Sequence, residues 1–137
     1  MVLPRYKHKI TLHDALDQFD LALEKLVKEH SLENAVNTNI ASMRWYDALY
    51  TASNYYEGIP NGFAAHYIED INKGLHIIHG MKEYQQKKHH ELVEVDPEAP
   101  ELEEVNHNLR NLESCIIQMR SRKRLVADLV PKVPDHH

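Results

Sequence analysis

The feature that most constrains the fold is a set of apolar residues spaced alternately four and three positions apart, repeated in separate segments of this 137-residue chain. In the first segment these residues are Leu12, Leu16, Phe19, Leu23 and Leu26. That spacing places them on one face of an α-helix, and polar residues fill the other faces. The segment therefore predicts an amphipathic helix that begins at the N-cap residue Thr11.

Three further segments show helical spacing. The second runs from a new N-cap residue, Ser31, to about Glu57 and carries Leu32, Val36, Ile40 and Met43. The third begins near residues 61–63 and carries Ala64, Ile68, Ile71, Leu75, Ile78 and Met81. The fourth ends before Pro131 and carries Leu102, Val105, Leu109, Leu112, Ile116 and Met119. The His30–Ser31 junction predicts either a tight corner or a kinked continuation of one helix.

Four amphipathic helices bury their apolar faces only against one another, so the chain is predicted to be all-α. The simplest arrangement is an antiparallel four-helix bundle with a long C-terminal helical hairpin. Residues 1–137 are predicted to form a single helical domain, with flexible tails at 1–10 and 131–137. Residues 91–100 are expected to be an acidic, proline-containing connection. Gly74 and Gly80 lie within the third helix and predict close approach of a neighbouring helix.

Composition excludes several classes of protein. Sixteen Lys and Arg against 21 Asp and Glu give a net charge of −5, which argues against a general nucleic-acid binder. A single cysteine, Cys115, excludes an intrachain disulfide and a Cys-based zinc site, and is expected to be a buried small hydrophobe. With no membrane-spanning run, no secretory signal and no catalytic motif, a cytoplasmic protein without a cofactor is expected.

An aromatic cluster is the first candidate for function. Seven of the ten aromatic residues fall between positions 45 and 67. The candidate interaction residues are Arg44, Trp45, Tyr46, Tyr50, Tyr55, Tyr56 and Tyr67. Trp, Tyr and Arg dominate protein interfaces, and adjacent aromatic residues cannot all point into one core. A core at the end of the bundle is the alternative. The leading interpretation is a non-catalytic interaction module that forms a homodimer. Binding of another protein partner is a further option.

A metal site is an alternative function, because the chain contains 11 histidines. A hairpin centred near residue 95 places His107 opposite Glu83. The candidate ligands His79, Glu83, Glu104 and His107 then converge on one ion, with donor types suited to zinc or iron. Chance spacing in a histidine-rich chain is the competing interpretation.

Two basic runs are candidates for binding nucleic acid or another anion. Lys87, Lys88 and His90 end the third helix, and Arg120, Arg122, Lys123 and Arg124 interrupt the fourth. The hairpin register places these runs at different levels, so two separate patches are expected. Solvated basic faces are the alternative. The run Asp14, Asp17 and Asp20 is likewise expected to be a solvated helix face.

Residues 80–92, which close a long helix, follow an aromatic-rich helix that contains Arg44-Trp45-Tyr46-Asp47. Across residues 40–92 this arrangement resembles the HEPN-type helical domains of prokaryotic defence and toxin systems. The resemblance implies a dimeric helical bundle. Active members cleave RNA across the dimer with an arginine and a histidine, and here Gln85 and His90 stand at those places. Glutamine cannot hold a phosphate through a planar guanidinium fork, so the resemblance favours a relative without catalysis. RNA cleavage or RNA binding in a prokaryotic or phage defence system is the alternative.

Overall fold

Four helices form the part of the chain that the structure describes. A computed structural model describes the backbone of residues 4–55 and 61–129 and the side chains of residues 12–52 and 62–128. The helices are α1 (Pro4–Lys28), α2 (Leu32–Tyr55), α3 (Asn61–Val95) and α4 (Glu101–Leu129). No strand occurs in these ranges, which confirms the all-α class and the helical bundle. None of the described helices is long and apolar enough to cross a lipid bilayer.

Contacts between side chains define the directions of the helices. α1 and α2 are antiparallel, and so are α3 and α4, where the Lys82 ammonium lies 3.8 Å from the Glu113 carboxylate. α2 and α4 run in the same direction, because Asn39 contacts Gln118 and Ser42 contacts Arg122 further along both helices. α2 packs against all three other helices, whereas α1 and α4 make no close backbone contact within the described ranges.

The α1–α2 junction is a tight corner, which decides between the two predicted alternatives. Ser31 is the N-cap of α2, as predicted: its hydroxyl accepts a hydrogen bond from the Asn34 amide at 3.1 Å. The Asn34 side chain then donates to the carbonyl oxygens of Lys25 and Glu29 at 3.2 and 2.9 Å. One asparagine therefore satisfies the end of α1 from the first turn of α2, which replaces the glycine that many helix ends require.

The hairpin between α3 and α4 is longer than the sequence suggested. α3 continues to Val95, so residues 91–95 are helical and the connection contains only residues 96–100. The Asp96 carboxylate accepts a hydrogen bond from the Glu98 amide at 3.0 Å and forms the turn. The groove that contains the corner residue His30 extends along α3 to Gln85. About ten further residues of α3 project beyond that corner, a distance of ~15 Å.

The ends of the chain differ from the predicted tails. α1 begins at Pro4 rather than at Thr11, so residues 4–10 of the predicted tail 1–10 are helical. Proline suits the first turn of a helix, where its missing N–H is not needed. The predicted tail 131–137 and the turn around Gly58 and Pro60 lie outside the described residues.

The core is built around a face of α2 that carries mostly small residues. Its fully or nearly fully buried residues are Ala35, Thr38, Ala41, Ser42, Trp45, Ala48, Leu49 and Ala52. Small side chains allow the neighbouring helices to approach α2 closely, and Trp45 fills the remaining space against Tyr67 and Phe63. Cys115 is buried in this core, as expected.

The apolar stripe of α2 turns away from this core, which corrects the sequence analysis. Val36 is half-buried at the edge of the core, but Ile40 and Met43 are 38% and 41% exposed. The stripes of the other three helices do supply buried core residues, among them Phe19, Ile71 and Leu112. The prediction failed for α2 because it followed the large apolar residues, whereas the buried face consists mainly of alanine, serine and threonine.

The two glycines in the middle of α3 differ in environment. A Cβ added to Gly74 would lie 3.3 Å from the terminal methyl of Met119 and 3.5 Å from a methyl of Thr38, which confirms the predicted close packing. A Cβ on Gly80 would meet no atom within 4 Å, so the same prediction is wrong there.

Gly80→Ala should therefore increase the free energy of unfolding by about 0.5–1 kcal/mol, because alanine is the better helix former and has room. Gly74→Leu should decrease it by about 1–3 kcal/mol, because the added carbons overpack a point where residues of all four helices meet. Urea unfolding followed by circular dichroism measures both values. Equal effects of the two substitutions would contradict the assigned environments.

Candidate functional site

The outward face of α2 is the candidate functional site. We define the α2 outer stripe as Val36, Ile40, Met43 and Tyr50, which keep the spacing of a helix–helix contact seam with Asp47 between the last two. Tyr50 is half exposed, and Ile40 and Met43 are more than one-third exposed. The stripe therefore presents large apolar side chains to solvent on the helix that holds the bundle together.

The surroundings of the stripe combine apolar and charged groups. Leu21 on α1 is 54% exposed and lines a shallow groove together with Ile40 and Arg44. Arg44 and Asp47 are exposed and form no ion pair with any residue that the structure describes. The Arg44 guanidinium donates a long hydrogen bond to the Gln18 side-chain oxygen at 3.5 Å. Opposite charges therefore lie exposed beside an apolar stripe, although Asp47 also interacts electrostatically with Arg122.

The predicted aromatic cluster divides between the core and the surface. Trp45 and Tyr67 are completely buried, so they contribute to the fold and not to an exposed surface. The Tyr67 hydroxyl donates to the Ser42 carbonyl oxygen at 3.2 Å, and burial raises its pKa. Tyr46 is half-buried, with its ring 6.2 Å from that of Tyr50. Burial is the main cause that raises the pKa of Tyr46, and the neighbouring Tyr50 raises it further.

Two further predicted interaction residues cannot be assigned to either part. The Tyr55 side chain and Tyr56 lie outside the described residues. Arg44, by contrast, is exposed on α2 as an interaction residue should be. The predicted cluster thus supplies Arg44 and Tyr50 to the outer surface of the bundle, while the half-buried Tyr46 packs against the core.

Arg122, which the sequence predicted as part of an anion patch, forms hydrogen bonds within the bundle. One terminal nitrogen donates to the Asn39 side-chain oxygen at 2.6 Å and to the Ser42 hydroxyl at 2.9 Å. The other donates to the Gln118 side-chain oxygen at 3.1 Å. Burial lowers the pKa of the Arg122 guanidinium, and these contacts offset its desolvation. The network joins α4 to α2, and its partners Asn39 and Ser42 were missed in the sequence.

The remaining basic residues lie in two places, as expected from the register. Arg120, Lys123 and Arg124 line a shallow groove beside Ile68. Lys87, Lys88 and His90 are exposed on the projecting part of α3, and the His90 ring nitrogen lies 3.1 Å from the Glu94 carboxylate. About 20 Å separates the two groups along the hairpin axis, at ~1.5 Å per helical residue.

The predicted metal ligands are not brought together. Within the described residues, His79, Glu83, Glu104 and His107 form no group of three with ligand atoms in reach of one another. Lys82 faces Glu113 and Gly74 faces Met119, so the hairpin is centred near residue 97 instead of residue 95. This shift puts His107 about one helical turn away from the level of Glu83.

A different cluster of ionisable side chains joins α1 to α3. The His66 Nε2 atom lies 3.1 Å from a carboxylate oxygen of Asp20 and 2.8 Å from one of Asp70. Asp70 is buried, while the side chains of His66 and Asp20 are 43% and 44% exposed. Lys73 approaches Asp70 to 3.9 Å. The sequence predicted that Asp20 belongs to a solvated acidic face, but its carboxylate contacts His66 of α3.

The electrostatics of this cluster follow from its geometry. Burial, together with the neighbouring Asp20, raises the pKa of Asp70 to about 6. Burial opposes ionisation of Asp20, but hydrogen bonds from Asp70 and His66 outweigh it and lower the Asp20 pKa. The hydrogen bond to Asp20 raises the pKa of His66. The i, i+4 spacing of His66 and Asp70 was the only signal for this cluster in the sequence.

The division of the aromatic cluster predicts different effects of two substitutions. Trp45→Ala should reduce the free energy of unfolding by about 3–5 kcal/mol, because it empties a large buried site. Tyr50→Ala should reduce it by about 1 kcal/mol or less, because half of the ring already faces solvent. Chemical denaturation at one protein concentration measures both. If Tyr50→Ala reduced the free energy of unfolding more than Trp45→Ala does, the assignment of Trp45 to the core and Tyr50 to the surface would be contradicted.

Comparisons with models of protein families, with curated proteins and with solved structures find no match to this chain.

Proposed function

We propose that this chain is a non-catalytic protein–protein interaction module that forms a homodimer through the α2 outer stripe. The observation that carries the proposal is the exposure of Ile40, Met43 and Tyr50 along one line of a helix whose opposite face is buried. Regularly spaced apolar side chains on one helix face are the usual contact surface for a second helix. Leu21 extends that surface onto α1.

A second copy of this chain is the occupant that the charges favour. In a parallel pair the two Asp47 carboxylates would face each other, which is repulsive. An antiparallel pair with its two-fold axis near residue 45 places Tyr50 opposite Ile40 of the second copy. The same register places Asp47 beside Arg44 of the second copy, so the dimer contains two symmetry-related pairs of opposite charges.

The RNA-directed alternative has less support from the contacts. His90, the residue that the HEPN resemblance would make catalytic, lies beside Glu94 on the projecting hairpin. Arg122 uses its guanidinium to hold α2 and α4 together. The remaining basic residues of the two runs lie in two separate places, which does not provide one continuous track for a nucleic-acid backbone.

Met43→Glu should convert the dimer into a monomer. Met43 is next to the two-fold axis, so the substitution brings two buried carboxylates close together and weakens association by at least about a hundredfold. Size-exclusion chromatography with light scattering at micromolar concentrations measures the mass. Circular dichroism should show unchanged helix content, because Met43 is 41% exposed in the single chain.

Tyr84→Glu is the matched control, because Tyr84 is 64% exposed and lies in the groove at the α1–α2 corner, away from Met43. It should leave the dimer intact. The proposal is refuted if the unmodified chain is a monomer at high micromolar concentration, or if Tyr84→Glu disrupts association as strongly as Met43→Glu does.

Exchange of the two charges tests the antiparallel register. Arg44→Asp alone and Asp47→Arg alone should each weaken the dimer, because each places like charges together across the axis. The double variant should recover most of the lost affinity, since the opposite pairs are restored. Analytical ultracentrifugation gives the three dissociation constants. Additive losses in the double variant would exclude this register.

A further inference from the structure

We propose that Asp20, His66 and Asp70 form a binding site for one divalent transition-metal ion between α1 and α3. The three residues come from two helices that are far apart in the sequence, and their ligand atoms lie within 4.8 Å of one another. The site is separate from the α2 outer stripe and does not depend on the proposed dimer.

The distances fit ligands around a common ion. Two ligand atoms that each lie ~2.1 Å from an ion are ~3.0 Å apart when they subtend about a right angle at it, and ~3.4 Å apart at the tetrahedral angle. The His66 Nε2 atom lies 3.1 and 2.8 Å from oxygens of Asp20 and Asp70. A single ring nitrogen that faces two carboxylates is an inefficient hydrogen-bond donor, because one N–H cannot point at both oxygens.

The donor set indicates the class of ion. One imidazole nitrogen and two carboxylate oxygens suit Zn²⁺, Mn²⁺ or Fe²⁺, whereas Mg²⁺ and Ca²⁺ prefer oxygen ligands alone. The side chains of Asp20 and His66 are both more than 40% exposed, so water can reach the outer side of the cluster. Three protein ligands with water in the remaining positions is the arrangement of an open metal site.

Charge balance also favours a cation at this place. The ligand oxygens of Asp20 and Asp70 lie within 4.8 Å of each other, so the two carboxylates repel when both are ionised. Among the residues that the structure describes, Lys73 is the lysine that pairs with Asp70, and it lies 3.9 Å from the carboxylate oxygen that does not face His66. An ion with two positive charges would allow both carboxylates to remain ionised beside a neutral imidazole.

Calorimetric titration with Zn²⁺ tests the site in the full chain, with Mg²⁺ as the hard-cation comparison. The unmodified chain should bind one more Zn²⁺ than His66→Gln or Asp70→Asn, or bind it at least about tenfold more tightly. Mg²⁺ should bind at least about tenfold more weakly than Zn²⁺. Zn²⁺ should also raise the melting temperature of the unmodified chain and not that of the two variants.

His79→Gln and His107→Gln are matched controls, because they remove histidines that have no such partners and leave the cluster intact. Both should bind Zn²⁺ at this site as the unmodified chain does. Circular dichroism confirms that every variant is folded before the titrations are compared. The proposal is overturned if the unmodified chain and His66→Gln bind Zn²⁺ alike, if removal of His79 or His107 has the larger effect, or if no Zn²⁺ binds at millimolar concentration.

Discussion

Close packing against the small residues of α2 is the constraint on which the rest of the structure depends. Because alanine, serine and threonine line most of its buried face, α2 contacts α1, α3 and α4 together. Trp45 and Leu49 are the large exceptions, and Trp45 fills the space where α2 meets α3. Larger side chains on this face would push the neighbouring helices apart. The same arrangement leaves Ile40, Met43 and Tyr50 on the outer side of α2, where the proposed contact with a second copy lies.

Polar side chains complement this packing at three interhelical junctions. Asn34 closes the end of α1 from the first turn of α2. Arg122 reaches from α4 to the Asn39 and Ser42 side chains of α2. His66 and Asp70 join α3 to α1. Each junction has specific hydrogen-bond or ionic partners, so other helix pairings would leave buried polar groups unsatisfied. The apolar packing supplies contact area, and these groups help to select one arrangement.

The sequence predicted the helices better than it predicted their surfaces. Long apolar stripes with Ser31 as an N-cap were sufficient for the four-helix bundle, since such faces are stable only against other helices. The orientation of α2 could not be predicted from large apolar residues alone, because its buried face is made of small ones. The register of the hairpin depends on where α3 ends, which the sequence did not define. The centre of the hairpin lies about two residues beyond the predicted one, and this shift separates His107 from Glu83. The Asp20–His66–Asp70 cluster depends on how α1 and α3 pack, which no single segment encodes.

The projecting end of the hairpin has a consequence for dynamics. Beyond the α1–α2 corner, α3 and α4 protect each other along one face only, and most of their side chains are exposed there. Val105 is buried at this end, but residues 86–95 contribute no fully buried side chain. Backbone amides of this end are therefore expected to exchange with deuterated solvent through local fraying, well before those of the four-helix region open with global unfolding.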